Sequence, residues 1–543
     1  MSRIIVASAL PYSYSIPHLG NFVGSVLPAD VYFKYLLMKG EDAIFICGSD
    51  QHGTAGEMRA LKEKTTPEVL AEKVHAELKL LFNKYNCTFT YYGKTHTEQN
   101  RETVYEIFKA LDKNSYITEV ESTMPYCNND RLYLADTLVE GKCPYCGYAH
   151  AKGNQCENCG KLLDPNQLIG LYCVICKKND IVFKKVKHLA LLLNKMQDKI
   201  AGFIEKQSKE HWSKNAANKS ITFVKEGLRP RDITRNTKWG FPVPKKGFEE
   251  QNFYVWFDAP IAYIGITREW DAKRWQDYWK SNDTKTIYFM GKDNIEFHTV
   301  MWPGLLIGSN LGFTLPTTIR ASEYLLTAGM KFSKSQQRGL NMQEALGVLP
   351  ADYWRFILMY LYPETADTDL TDELIVQIVN GIMNDNIGNF INRVLKLIYE
   401  NKGTAKINMA ASPGTKEAKK AIERYTRAFD NFELREALQS AIELSSVGNS
   451  IMGNSTPWLT AKAAKSDARM AEKFSAQMSE LLSIVYRLGI LLWPFTPQKS
   501  MEILSYFNVN DTPKLSMLDK MPVFDGEKEV KPLFKKVEES ALP

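Results

Sequence analysis

The chain has 543 residues, which at about 150 residues per domain leaves room for about three or four folding units. Hydrophobic residues at 44% and charged residues at 24% exclude general disorder, and 32 Gly and 23 Pro scattered without period exclude a collagen-like or low-complexity design. A formal charge of +6 permits a polyanionic partner without requiring one.

The longest apolar stretches, such as Leu189–Leu193 and Leu488–Phe495, fall well short of the about 20 residues that span a bilayer. The N-terminus carries only Arg3 ahead of a short apolar run ending at Pro11, unlike a secretory leader. A cytoplasmic protein with no membrane partner is expected.

In chain order, Arg3–Leu10 reads as a buried strand closed by Pro11, and a helical pattern follows from about Gly20 to Gly40. A second strand-like run, Ala43–Cys47, leads into the polar loop Gly48-Ser49-Asp50-Gln51-His52-Gly53-Thr54 and further helix. This is the βαβ rhythm of a doubly wound parallel α/β sheet of Rossmann type. The rhythm stops near residue 116 and resumes with strand-like runs at Phe253–Phe257 and Thr286–Met290. From about residue 386 long helical patterns take over, broken by Gly403, Pro413, Pro457 and Pro494. The predicted organisation is a first half-sheet (1–115), an insertion (116–247), a second half-sheet (248–322), a connecting region (323–385) and an all-helical domain (386–543).

Cysteine usage is more specific. Of nine cysteines, all but Cys47 and Cys87 lie between Cys127 and Cys176. Cys143/Cys146 and Cys156/Cys159 are two Cys-x-x-Cys knuckles, each followed by Gly, a spacing that suits one tetrahedral structural zinc in a ribbon. Cys127, Cys173 and Cys176 either complete a second zinc site with Asp130 or remain free thiols. Cys47 and Cys87 read as buried structural cysteines.

Two short motifs point to phosphate chemistry. His18-Leu19-Gly20-Asn21 stands at a helix N-terminus, where backbone N–H groups and the helix dipole favour an anion. Lys331-Phe332-Ser333-Lys334-Ser335 places two lysines three apart on a loop after Gly329, a cationic clamp for polyphosphate. Each alone is better explained as a plain loop-to-helix turn or a solvated charge cluster.

Together the two motifs resemble the paired ATP signatures of class I aminoacyl-tRNA synthetases, often written HIGH and KMSKS. Further stretches resemble the methionyl-tRNA synthetase family: Ala9-Leu10-Pro11-Tyr12, Gly48 to Thr54, Tyr254-Val255-Trp256-Phe257-Asp258-Ala259-Pro260, Gly291-Lys292-Asp293-Asn294 and the cysteine knuckles. Asn21 and Phe332, in place of His and Met, are similar to the archaeal and eukaryotic-type branch. Asn21 can donate a hydrogen bond but cannot carry a proton.

The resemblance implies a sheet split by a zinc-ribbon insertion and followed by an anticodon-binding helical domain. It implies ATP with Mg²⁺ at His18, Asn21, Gly291, Asp293, Lys331 and Lys334, with His18, Asn21 and the two lysines serving catalysis. It implies methionine at Leu10, Tyr12, Asp50, Trp256, Pro260, Tyr263 and His298, with Asp50 on the ammonium and His298 near the thioether; aromatic walls suit a polarisable thioether. Asn389, Arg393 and Trp458 would read the anticodon of tRNA(Met), whose splayed bases suit stacking on an indole. Structural zinc, one ion or two, completes the set. No DNA partner is implied, and with no appended domain before Pro543 a monomer is expected. A synthetase for another small apolar amino acid and a non-catalytic zinc-ribbon RNA-binding protein remain as alternatives at this level.

Overall fold

A computed structural model describes all residues except 1, 2, 135–137, 154, 155, 157, 160–162, 333–337, 402, 403, 405, 410–414, 521, 523, 525–527 and 543. Its centre is a five-stranded parallel sheet of β1 (Ile4–Ser8), β2 (Ala43–Ser49), β3 (Tyr91–Lys94), β6 (Lys285–Gly291) and β7 (Thr318–Ser322), in the lateral order β7-β6-β1-β2-β3. Strand order reverses on either side of β1, as in a doubly wound Rossmann-type sheet. Ile5, Val6 and Ala7 are fully buried, which is why β1 reads as an unbroken apolar run with no polar alternation. The helix Leu27–Lys39 ends at Gly40, whose φ of 78° supplies the left-handed cap that a side chain would resist. The chain reaches this helix through Leu19–Asn21 and a π-helical turn, Phe22–Val26.

Between β3 and β6 a long antiparallel pair, β4 (Ile117–Cys127) and β5 (Ile181–Leu191), runs in register from Ile117↔Leu191 to Cys127↔Ile181. Its root belongs to the core beside the sheet and its far end carries the cysteines, where a small sheet of Val139–Lys142, Ala151–Lys152 and Ile169–Cys173 sits. Residues 193–248 behave differently from the rest of the expected insertion 116–247. Met196, Ile200, Trp212 and Phe241 join Ile5, Ala7 and Ile46 in one core, so only the arm and its tip stand as a separate body.

The predicted strand at Phe253–Phe257 requires correction. Only Asn252–Phe253 is extended, and Val255–Trp270 is a helix carrying Pro260 in its interior. A short apolar run is compatible with a strand or a buried helix, and a proline made the helix the less obvious choice. Pro260 has no N–H to give, so the Trp256 carbonyl lacks its usual helical donor.

The predicted boundary at 385/386 also shifts. Asp372–Gln377, the π-helical Ile378–Gly388 and Asn389–Glu400 form one continuous helical run across it. The remaining long helices, Lys416–Asp430, Leu434–Ser455 and Ala468–Leu491, pack around this run as expected for the helical part. Gly448 lets Asn389–Glu400 approach closely, since a Cβ there would lie 2.2 Å from the Phe390 ring.

A buried charge cluster joins the sheet to the helical part. Asp30 accepts from Lys34 Nζ at 2.7 Å and from the Thr88 N–H at 2.6 Å, and pairs with Arg355 at 2.7 Å; the three charged side chains are at most 1% exposed. Arg355 also donates to the carbonyls of Tyr85, Pro494 and Phe495. Attraction to the two cations outweighs burial and holds the Asp30 carboxyl below its usual range. Replacing Asp30 by Asn would strand two buried cations, so Asp30→Asn is expected to cost about 3–5 kcal/mol. Urea unfolding followed through the helical signal measures this, and a loss below about 1 kcal/mol contradicts the keystone role.

Candidate functional site

A cavity of about 290 Å³ opens at the carboxyl ends of β1 and β6, where the strand order reverses and ligands of doubly wound sheets bind. Leu10, Tyr12, His18, Asn21, Asp50, Trp256, Pro260, Tyr263, Gly291, Asp293, His298 and Lys331 all line it. Residues drawn from five separate stretches of sequence thus meet in one place. Lys334 lies outside the described residues.

His18 caps the helix that starts at Leu19. Its Nδ1 accepts the Asn21 N–H at 3.0 Å, and the Asn21 side-chain oxygen accepts the His18 N–H at 3.3 Å. With Nδ1 an acceptor, the neutral imidazole carries its hydrogen on Nε2. The amide oxygen of Asn21 is likewise engaged, so its NH₂ is the end that can donate to a ligand. The His18 ring stacks on Phe332 at 5.0 Å between centroids, bringing the two phosphate motifs into contact. Gly20 permits this, because a Cβ would lie 3.1 Å from the His18 ring and 3.3 Å from that of Phe332. Leu19 N–H to Leu340 O at 3.1 Å and Met342 N–H to Pro17 O at 2.9 Å secure the far side of the same loop.

Lys331 ends the short strand Met330–Lys331, and its ammonium rests over the Tyr324 ring at 4.0 Å. Lys292 lies over the same ring at 3.9 Å and pairs with Glu323 at 2.6 Å and Asp367 at 2.8 Å. The Tyr324 hydroxyl donates to Asp293. Tyr324 therefore gathers a motif lysine and the carboxylate expected to meet a ribose, a role that sequence reasoning missed. The available signal was its place directly after β7, where ligand-binding loops leave the sheet.

At the other end of the cavity Asp50 is buried, and its Oδ1 has no hydrogen-bond partner. Burial, then the nearby Asp258 carboxylate, raise the Asp50 carboxyl well above the usual range. An unsatisfied buried carboxylate is costly, and a cationic ligand group would satisfy it. Opposite stand the aromatic walls. Trp256 stacks on Phe297 at 3.5 Å, a partner not anticipated from the sequence although it directly precedes His298. His298 Nδ1–H donates to the Asn294 carbonyl at 2.9 Å, which leaves Nε2 to accept the Tyr263 hydroxyl at 2.9 Å. Burial pulls His298 down to about 4, so at neutral pH it is an uncharged, hydrogen-bonded wall.

Outside this cavity the cysteines form two clusters of donor atoms, within each of which every atom lies within 4.8 Å of the others: Cys143, Cys146, Cys156 and Cys159, and Cys127, Asp130, Cys173 and Cys176. In the second, Asp130 Oδ2 lies 3.0 Å from the Cys173 sulfur and 3.3 Å from that of Cys127, so the carboxylate occupies the fourth corner. Three thiols and a carboxylate, like four thiols, fit tetrahedral zinc. On the helical part Asn389 and Arg393 share an exposed face, and the Arg393 guanidinium lies 5.6 Å from the Trp458 ring. Trp458 is 40% exposed at the start of the helix Pro457–Ala464.

Residues 4–395 match the family model described as tRNA synthetases class I (M), and residues 405–542 match that of the anticodon binding domain of methionyl tRNA ligase. The chain is 40% identical over 563 residues to a methionine–tRNA ligase of Pyrobaculum islandicum, covering 99% of this chain and 97% of the relative. It is 38% identical over 554 residues to the corresponding enzyme of Pyrobaculum aerophilum, covering 100% and 95%. The crystal structure of Mycobacterium tuberculosis methionyl-tRNA synthetase bound by methionyl-adenylate shares the fold at a TM-score of 0.79 and 18% identity, over 98% of this chain and 100% of that one.

The His298 environment makes a direct prediction. Its imidazole should titrate near pH 4 and show no change between about pH 5.5 and 8, read by NMR of labelled histidine. Because the folded-state value lies below the unfolded one, His298 contributes stability above the unfolded value, and that contribution is lost as pH falls from about 6.5 toward 4. A measured value of 6 or above would contradict the buried, neutral assignment.

Proposed function

The chain belongs to the methionyl-tRNA synthetase family, and from that premise we propose a role for each residue of the cavity. The reaction is that of a methionine–tRNA ligase: methionine and ATP give methionyl-adenylate and pyrophosphate, and the methionyl group then passes to the 3′-terminal adenosine of tRNA(Met). Both alternatives left open by the motifs alone fall away with the family.

The observation that carries the residue-level reading is a buried Asp50 carboxylate, one oxygen of it unpartnered, lining the same cavity as the aromatic walls. In this reading Asp50 holds the methionine ammonium by a charge-assisted contact. Leu10, Tyr12, Trp256, Pro260 and Tyr263 enclose the side chain, and neutral His298 faces the thioether without placing a charge beside it. The methionine carboxylate is already an anion, so adenylate formation needs no general base. Catalysis then rests on alignment for in-line attack at the α-phosphorus and on stabilising the charge that develops.

His18, through Nε2–H, and Asn21, through its NH₂, donate to phosphate oxygens beside the helix N-terminus. Gly291 lets the adenosine come close to the backbone, and Asp293 accepts from the ribose hydroxyls in place of the Tyr324 hydroxyl. Lys331, and Lys334 by the resemblance, stabilise the departing pyrophosphate, which Mg²⁺ accompanies. Phe332 keeps the loop seated on His18.

Cys143, Cys146, Cys156 and Cys159 would hold one zinc ion, and Cys127, Asp130, Cys173 and Cys176 a second. Zinc with closed shells supplies folding energy to the tip of the arm and no chemistry at the cavity. Asn389, Arg393 and Trp458 would meet anticodon bases by stacking and edge hydrogen bonds. The chain is taken to act as a monomer, and no helix among the described residues is long and apolar enough to cross a membrane.

Amino-acid-dependent ATP–pyrophosphate exchange without tRNA tests the cavity. Methionine alone among methionine, leucine, isoleucine, valine and cysteine should drive exchange; exchange with another of these would overturn the pocket assignment. Lys334→Ala should lower the activation rate by about 10²-fold or more while leaving tRNA affinity nearly unchanged. An activation rate close to the unmodified chain removes Lys334 from the clamp.

Metal analysis tests the arm. The purified chain should carry two zinc ions, and Asp130→Ala one. A single ion in the unmodified chain refutes the second site.

A further inference from the structure

Behind the amino-acid end of the cavity lies a buried polar cluster that the roles above leave unused. His52 Nδ1 lies 2.6 Å from Asp258 Oδ2, and His52 Nε2 lies 2.8 Å from His96 Nδ1. His52 and Asp258 are buried, and Trp239 and Phe241 enclose both imidazoles. The Trp239 indole N–H is itself fixed on the Gln51 carbonyl at 2.6 Å.

Two of the three come from elements that line the amino-acid end of the cavity. His52 follows Asp50 by two residues in the loop after β2, and His96 lies just past β3. Asp258 sits in the first turns of the helix Val255–Trp270, between Trp256 and Pro260 and a little over one turn before Tyr263. The His52–Asp258 bond thus ties the loop that presents the ammonium ligand to the helix that forms the aromatic wall.

We propose that His52 is a positioning residue for methionine: its hydrogen bond to Asp258 Oδ2 sets the span between Asp50 and the Trp256–Tyr263 wall and satisfies one oxygen of the carboxylate that lies behind Asp50. The proposal rests on the reading of Asp50 as the ammonium ligand.

The electrostatics are consistent with this geometry. Asp50 Oδ1 and Asp258 Oδ1 are both buried without a hydrogen-bond partner, and the charge on Asp258 opposes ionisation of Asp50. His96 is pulled down to about 4, chiefly by burial, so it stands as a neutral partner within hydrogen-bond distance of His52. Asp50 lies near Asp258, with Tyr12 and Tyr14 beside Asp50, and Glu72, Lys94 and Arg101 lie near His96.

The test is methionine-dependent ATP–pyrophosphate exchange by the full chain across pH, with thermal melting of every variant. His52→Gln should raise KM for methionine about tenfold or more, leaving kcat within about threefold and KM for ATP unchanged. Adding Asp258→Asn to that background should return KM for methionine to within about threefold of the unmodified chain, because the buried carboxylate that His52 satisfied is gone. Asp258→Asn alone should move the acid limb of kcat/KM for methionine to lower pH, since Asp50 then ionises more readily.

A KM within twofold of the unmodified chain for His52→Gln, or losses that add in the double variant, overturns the proposal. If His52→Gln fails to fold, an unmoved acid limb in Asp258→Asn does so. Asp50→Asn separates the two readings: it should raise KM for methionine about 100-fold or more, and a smaller effect refutes Asp50 as the ammonium ligand whatever His52 does.

Discussion

Strands β1 and β6 lie side by side, yet the chain continues from them toward opposite edges of the sheet. No single layer of connections can close over the gap between their carboxyl ends, so a crevice opens there by topology alone. Every functional feature of the catalytic part answers to that crevice. The segment after β1 contributes Leu10, Tyr12 and the His18 cap, and the turn after β6 contributes Gly291 and Asp293. The helix Val255–Trp270 and the loop after β2 close its two sides. Because β1 is buried on both faces, moving any of these groups would mean moving a strand packed throughout its length.

Within the crevice, charge is arranged so that each ionic group has a defined companion or a defined ligand. Lys292 and Lys331 both lie against the ring of Tyr324, whose hydroxyl serves Asp293. Aromatic faces hold ammonium groups without neutralising them, so a lysine parked in this way keeps its charge for a phosphate. At the opposite end neutral side chains dominate: His298 is uncharged and paired with the Tyr263 hydroxyl, and Asp50 lines the cavity with one oxygen unpartnered. A zwitterionic ligand with an apolar tail entering such a space has a single orientation that satisfies both ends.

Much of this site was legible as sequence, because its residues sit in short contiguous motifs at the ends of strands. The buried strand β1, the paired phosphate motifs and the cysteine knuckles each carry their physical reason locally. The Phe253–Phe257 run did not, since five apolar residues are compatible with either a strand or a buried helix and Pro260 pointed away from the helix. Nor did Asp30, Lys34 and Arg355, which look like ordinary surface charges until the fold seals them together. The partnership of His52, His96 and Asp258 was invisible for the same reason. Three separated segments must fold before the residues meet, and no local pattern marks them.

The buried charges also bear on how the molecule spans its tRNA. From the His18–Phe332 contact the chain passes to Asn341, which caps the helix Met342–Val348, and Tyr85 holds that helix through the Met342 carbonyl at 2.8 Å. Trp354 donates to the Ala345 carbonyl at 2.6 Å, and its neighbour Arg355 reaches both Asp30 beneath the sheet and the carbonyls of Pro494 and Phe495 in the helical part. A purely apolar junction could slide by small steps, whereas this one is set by directed hydrogen bonds to charged groups with no water to replace them. Displacing the helical part by even one bond length would leave Arg355 or Asp30 unsatisfied in the interior. The face bearing Asn389, Arg393 and Trp458 is therefore held at a fixed separation from the cavity. That is what an enzyme needs if it must engage two distant ends of one folded RNA at once.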